Sequence, residues 1–78
     1  MPEVKIYSTP TCVYCRHAKK FFEENGVKYS EFDVSADEKR AEEMFAKSGQ
    51  IGVPVLDIGG KIIVGYDRRA IKEALGLE

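Results

Sequence analysis

Val4, Ile6 and Ser8 alternate with Lys5 and Tyr7, so residues 3–8 are predicted as a strand. Thr9-Pro10-Thr11 interrupts it, and either threonine is a candidate cap for the element that follows. Over residues 13–25 the apolar positions change period. Cys15, Ala18 and Phe22 fall at i, i+3 and i+7 with Phe21 beside them, while Lys19, Lys20, Glu23 and Glu24 take the wetter face. That spacing predicts a helix stopped by Asn25-Gly26, with the glycine supplying a left-handed C-cap.

Alternation returns in residues 28–34, where Tyr29, Phe32 and Val34 mark a second strand that slips once in its middle. Ser35 followed by Glu38 reads as a capping box for a helix over residues 36–48, with Ala41, Met44 and Phe45 as one buried stripe. Val53-Pro54-Val55-Leu56 opens a third strand that reaches Ile58. Gly59-Gly60 is a two-residue hairpin signal, and Lys61-Ile62-Ile63-Val64 returns as a fourth strand. Asp67 then caps a last short helix carrying Ala70, Ile71, Ala74 and Leu75, ended by Gly76. The order β-α-β-α-β-β-α makes the first two strands parallel through a right-handed crossover and the last two antiparallel. The expected architecture is α/β, a four-stranded mixed sheet with three helices, in one domain spanning residues 1–78.

Composition narrows the functional classes. A formal net charge of −1 argues against nucleic acid or an anionic membrane as main partner, since both reward basic patches. Met1-Pro2-Glu3-Val4-Lys5 does not read as a signal peptide, and no apolar run has membrane length. A reducing cytoplasm is therefore the expected compartment, where a cysteine pair is more often catalytic or metal-binding than structural.

The two cysteines, Cys12 and Cys15, lie between the first strand and the first helix. A staple there closes a very short loop, worth about 2 kcal/mol or less, and ties no distant parts together. Structural zinc wants four ligands, whereas the chain offers two thiols and His17, its one histidine; a site shared between two chains needs an added assumption. The remaining chemistry is a dithiol that cycles with a disulfide. It lies at the carboxyl end of the first strand, where open α/β sheets keep their sites. Cys12 falls at the helix start, where unpaired N–H groups and the helix dipole favour a thiolate. Cys15 lies one turn inside and is expected to be shielded. Cys12 is then the attacker and Cys15 the resolver of a mixed disulfide. Lys19 and Lys20 read as a solvated helix face, Arg16 as evenly balanced between solvent and the site, and His17 as a surface side chain.

Three segments in order carry a family resemblance: Ile6-Tyr7 ahead of Cys12-Val13-Tyr14-Cys15, then Ser48-Gly49-Gln50-Ile51-Gly52-Val53-Pro54, then Val64-Gly65-Tyr66-Asp67. Together they resemble the glutaredoxin-like proteins, small members of the thioredoxin-like fold, over essentially the whole chain. The resemblance implies a minimal thioredoxin-like fold, a cis Val53–Pro54 bond facing the cysteines, and a Val53 backbone that pairs with substrate like a strand. It implies further that Tyr14 flanks the bound thiol, that Gly65 lets backbone approach the ligand, and that Asp67, besides capping its helix, binds the amino end of glutathione. Three positions depart from the family pattern: Thr9 stands where a lysine usually binds a glutathione carboxylate, Val13 replaces the active-site proline, and Val64 replaces a glycine.

The resemblance thus implies a thiol–disulfide oxidoreductase that reduces protein or glutathione mixed disulfides through Cys12 and Cys15. The catalytic residues would be Cys12 and Cys15, with Tyr14, Val53, Pro54, Gly65 and Asp67 binding substrate. No bound cofactor or metal is expected, and glutathione would enter as reductant or co-substrate. The Cys-Val-x-Cys centre and the Gly-aromatic step also resemble redoxins that take electrons from thioredoxin reductase. The alternative is therefore a dedicated carrier donating to ribonucleotide reductase or a peroxidase. A metal or iron–sulfur binding module is a third, weaker alternative, because cluster-binding glutaredoxins mostly carry one active-site cysteine. Partners are disulfide-containing proteins and one of the two electron sources, and a monomer is expected.

Overall fold

A computed structural model describes residues 2–77. The elements run β1 (Val4–Ser8), α1 (Val13–Glu24), β2 (Ser30–Asp33), α2 (Glu38–Ser48), β3 (Val55–Ile58), β4 (Lys61–Val64) and α3 (Arg68–Leu75). The sheet order is β2-β1-β3-β4. β1 pairs parallel with β2 and antiparallel with β3, and β3 pairs antiparallel with β4. The mixed four-stranded sheet with three helices is the thioredoxin-like architecture that the sequence predicts.

Strand alternation sorts the sheet's side chains into two cores. Val4, Ile6, Leu56, Ile58 and Ile63 face one side, where α1 contributes Cys15, Ala18, Phe21 and Phe22 and α3 contributes Ile71 and Leu75. Tyr7 and Val55 face the other side and meet Met44 of α2, with Phe32, Val34 and Ile62 against them. Full burial of a side chain such as Ile6, Phe22 or Ile71 contributes about 1.5–3 kcal/mol relative to exposure. The stripe predicted on α2 is narrower than expected: Met44 is buried against Tyr7 and Val55, but Phe45 is 46% exposed.

Polar groups also tie α2 to the sheet. Lys47 Nζ donates to Asp57 Oδ2 at 2.7 Å and to the Tyr7 hydroxyl at 3.0 Å. The Tyr7 hydroxyl donates in turn to Glu43, which Arg40 also holds while lying 3.9 Å over the Phe32 ring. Asp57 Oδ1 accepts the Gly60 N–H at 2.9 Å, which fixes the β3–β4 hairpin to the same network. Burial acts to raise the Asp57 pKa, but the hydrogen bonds from Lys47 and Gly60 outweigh it and hold the carboxyl below its ordinary value.

Element ends differ from expectation in several places, and β2, expected over residues 28–34, is confined to Ser30–Asp33. α2 begins at Glu38 with Asp37 as N-cap, its side chain accepting the Arg40 N–H at 3.2 Å. The Ser35–Glu38 box does not form, because the Ser35 N–H and hydroxyl both donate to Asp33 Oδ1, at 2.9 and 2.5 Å. β3 starts at Val55 rather than Val53, since Pro54 has no N–H to give a ladder. α1 is capped by neither threonine: Cys12 itself is the N-cap. Asp67 caps α3 as predicted, accepting the Ala70 N–H at 3.1 Å.

Candidate active site

The loop Thr9–Thr11 closes on itself through the Cys12 N–H, which donates to the Thr9 carbonyl at 3.3 Å. Cys12 is thereby delivered in extended backbone at the first turn of α1, where its Sγ accepts the Cys15 N–H at 3.1 Å. A sulfur in this position does what a serine or aspartate oxygen does at other helix starts: it satisfies an orphan backbone donor. Cys12 and Cys15 are joined as a disulfide with Cα atoms 5.2 Å apart. Their exposure is unequal. Cys12 is half-buried, whereas Cys15 is 1% exposed under α1.

The third and fourth strands bring the remaining predicted residues to the same end of the sheet. The Val53–Pro54 bond is cis, and Pro54 is buried. Val53, Cys12 and Tyr66 all pack on the core cluster that contains Cys15. The Gly65 N–H donates to the Pro54 carbonyl at 2.8 Å, so the segment after β4 is bonded directly to the turn that carries Val53. Among the described residues Val53 itself makes no backbone hydrogen bond. Tyr14 is 64% exposed, with its ring 5.9 Å from His17. Asp67 is exposed at the start of α3, with Oδ1 engaged by the helix.

Several features escape the sequence reading. Lys19 is not a solvated cation: its Nζ donates to Glu31 Oε2 at 2.8 Å, and the buried Ser8 hydroxyl donates to the same oxygen at 2.8 Å. The Lys19 hydrogen bond is the main reason that Glu31 lies below its ordinary pKa, and the Ser35 hydroxyl does the same for Asp33. Both are carboxylates at neutral pH. They line, with Ser8, Thr9 and Pro10, a hollow of about 350 Å³ beside the cysteine loop. Large apolar side chains are also exposed on segments that flank the predicted site residues: Val13 at 57%, Ile51 at 82% and Val64 at 52%. Tyr66, in the Gly65–Asp67 step, lies 5.9 Å from His17. A signal for Ile51 was present, since it is a large apolar residue beside Gly52 outside any helix or strand period; Val64 keeps the strand period of Ile62 and pairs with buried Val55, so its exposure was not legible. A larger hollow of about 510 Å³ sits between the start of β1 and the α1–β2 loop, at the end of the sheet away from Cys12.

Among the described residues no cluster of His, Cys, Asp and Glu side chains has the makings of a metal centre, and no helix is long and apolar enough to cross a membrane. Comparison with known proteins identifies the family. The glutaredoxin family model matches residues 4–63. A glutaredoxin-like 8.6 kDa protein from the rubredoxin operon of Clostridium pasteurianum is 40% identical over 92% of this chain and 96% of its own length. Glutaredoxin 3 of Escherichia coli is 34% identical over 97% of this chain and 92% of its own. The glutaredoxin crystal structure from Archaeoglobus fulgidus superposes with a TM-score of 0.86 at 29% identity, covering 96% of this chain and 87% of that one. With a linked cysteine pair at the head of α1 and relatives of its own length, the chain belongs to the glutaredoxin family, as a glutaredoxin-like disulfide oxidoreductase.

Proposed function

We propose that this protein reduces disulfides of other proteins through Cys12 and Cys15, with Cys12 as nucleophile. The observation that carries the reading is the inequality of the two sulfurs: Cys12 is reachable and accepts the Cys15 N–H, while Cys15 is buried one turn below. In the reduced protein that N–H and the α1 dipole favour a thiolate at Cys12. The thiolate attacks one sulfur of the substrate disulfide; that bond breaks, and the other substrate sulfur leaves as a thiolate. Cys15, after losing its proton, then attacks the Cys12 sulfur and releases the second substrate thiol. Two electrons pass to the substrate, and the protein is left as the Cys12–Cys15 disulfide found here. Tyr14 flanks the bound sulfur, Val53 pairs through its peptide groups, Pro54 and Gly65 hold that turn, and Asp67 meets the substrate beyond it. The cycle uses no resident cofactor, and it belongs in a reducing cytoplasm, carried out by a monomer.

A specific observation favours the carrier form of this reading, in which thioredoxin reductase restores the dithiol. Thr9 stands where glutathione users place a lysine, and the adjoining hollow presents Glu31 and Asp33 instead. Lys19 neutralises only the first of them. A tripeptide carboxylate entering there meets like charge without a compensating cation. The test is NADPH oxidation with a peptide disulfide, driven either by glutathione with glutathione reductase or by thioredoxin reductase alone. Turnover with thioredoxin reductase and little with glutathione is expected. Efficient turnover with glutathione alone would refute the carrier form, and turnover with neither would refute the oxidoreductase role of the dithiol.

A further inference from the structure

Three aromatic rings form a continuous strip beside the dithiol. The His17 ring lies 5.9 Å from Tyr14 on one side and 5.9 Å from Tyr66 on the other, tilted by 52° and 31°. These separations and tilts are those of attractive aromatic pairs. The three residues arrive from different places: Tyr14 and His17 are three apart on α1 and so share a face, while Tyr66 comes from the loop between β4 and α3. Tyr66 is anchored on the core cluster that also takes Cys12, whereas Tyr14 stands 64% exposed. One turn further along α1, Arg68 of α3 lies over the Phe21 ring at 5.7 Å, closing the seam between the two helices. His17 therefore occupies the one position that links the free tyrosine of the cysteine motif to the anchored tyrosine of the opposite loop.

We infer that His17 is a positioning residue for substrate: it braces Tyr14 against Tyr66, so that the strip is set before a disulfide arrives. The inference rests on the reading that Tyr14 contacts the substrate chain. Without the brace, Tyr14 must be ordered at each binding event, and the cost falls on substrate association rather than on sulfur chemistry. Sulfur exchange needs only Cys12, Cys15 and the α1 amide, and the ring partners of His17 are Tyr14 and Tyr66.

The experiment compares wild type, His17→Ala and His17→Phe in steady-state reduction of a peptide disulfide, with far-UV circular dichroism to verify folding. Alanine favours helix at an exposed position, so the fold is retained. In His17→Ala, KM is expected to rise about three- to tenfold with kcat within about twofold of wild type. Phenylalanine, which keeps a ring but no imidazole, restores KM. Nuclear Overhauser contacts from the position-17 ring to Tyr14 and Tyr66 should be present in wild type and in His17→Phe. An unchanged KM in His17→Ala, a kcat loss without a KM change, or failure of phenylalanine to rescue overturns the bracing role while wild-type turnover stands. A wild type that reduces no peptide disulfide overturns the functional reading and this inference with it.

Discussion

Replacing Gly65 by alanine separates a backbone cost from a packing cost. Gly65 has φ of +83°, and a Cβ built there meets nothing within 4 Å. The penalty is therefore conformational, about 1–2 kcal/mol for an L-residue forced to positive φ. In a chain of this length each kcal/mol shifts Tm by about 4–8 °C, so Gly65→Ala should melt roughly 4–16 °C lower. Gly76 provides the matched control: its φ is +75°, its surroundings are equally open, and it closes α3. Gly76→Ala should lose similar stability. The two differ in what the backbone holds, because the Gly65 N–H bonds the Pro54 carbonyl beside Val53. Gly65→Ala is thus expected to lose about ten- to a hundredfold in kcat/KM for a peptide disulfide, the scale of a misplacement of about 1 Å in a binding group. Gly76→Ala should keep wild-type turnover. Thermal unfolding by circular dichroism and turnover measured well below both melting points give the two readouts. A wild-type Tm in Gly65→Ala, or an equal loss of turnover in Gly76→Ala, would refute the reasoning.

Cys12→Ser should abolish turnover, whereas Cys15→Ser should accumulate a mixed disulfide with the substrate peptide, seen as one added peptide mass under non-reducing mass spectrometry. Lys47→Met should cost about 1–3 kcal/mol in urea unfolding at neutral pH, less than a fully buried pair because both side chains are partly exposed, at 27% and 12%. The folded pKa of Asp57 lies below its unfolded value, so its contribution is present above the unfolded value and lost as pH falls through the depressed folded one. Urea midpoints taken from about pH 3 to 7 should therefore show wild type and Lys47→Met converging toward acid, and a constant gap would count against the pair. Thr9→Lys, which restores a cation beside Glu31 and Asp33, should raise glutathione-driven turnover relative to thioredoxin-reductase-driven turnover; an unchanged ratio would count against the role given to that hollow.

Local signals in the sequence were sufficient for every element and for the cysteine end of the sheet. Period changes located α1 and β1, the paired glycines located the β3–β4 turn, and Asp67 located the start of α3. Competition between neighbouring polar groups was not legible. Ser35 looks like a cap, but Asp33 reaches it first, and only the geometry after β2 decides between them. Cys12 was legible as a nucleophile and not as an N-cap, because a thiol is a poor cap by residue type even where the backbone points a donor at it. The Lys19–Glu31 and Lys47–Asp57 pairs join residues brought together by sheet order and helix docking, which charge patterning along the chain does not encode. Taken alone in the sequence, His17 is a surface side chain. Its exposure agrees, and its two ring contacts depend on where the loop after β4 returns.

The sheet order β2-β1-β3-β4 leaves two open margins, each only four residues long. An open margin is a template for adding a strand from another chain. The β2 margin reads Ser30-Glu31-Phe32-Asp33, so antiparallel pairing of two copies sets Asp33 against Ser30 and Glu31 against Phe32 and crowds four carboxylates into one short seam. The β4 margin begins with an exposed lysine and ends at the bend of Gly65. Colloidal restraint is therefore written into the borders of the sheet: short, charged margins of this kind resist edge-to-edge recruitment by another strand.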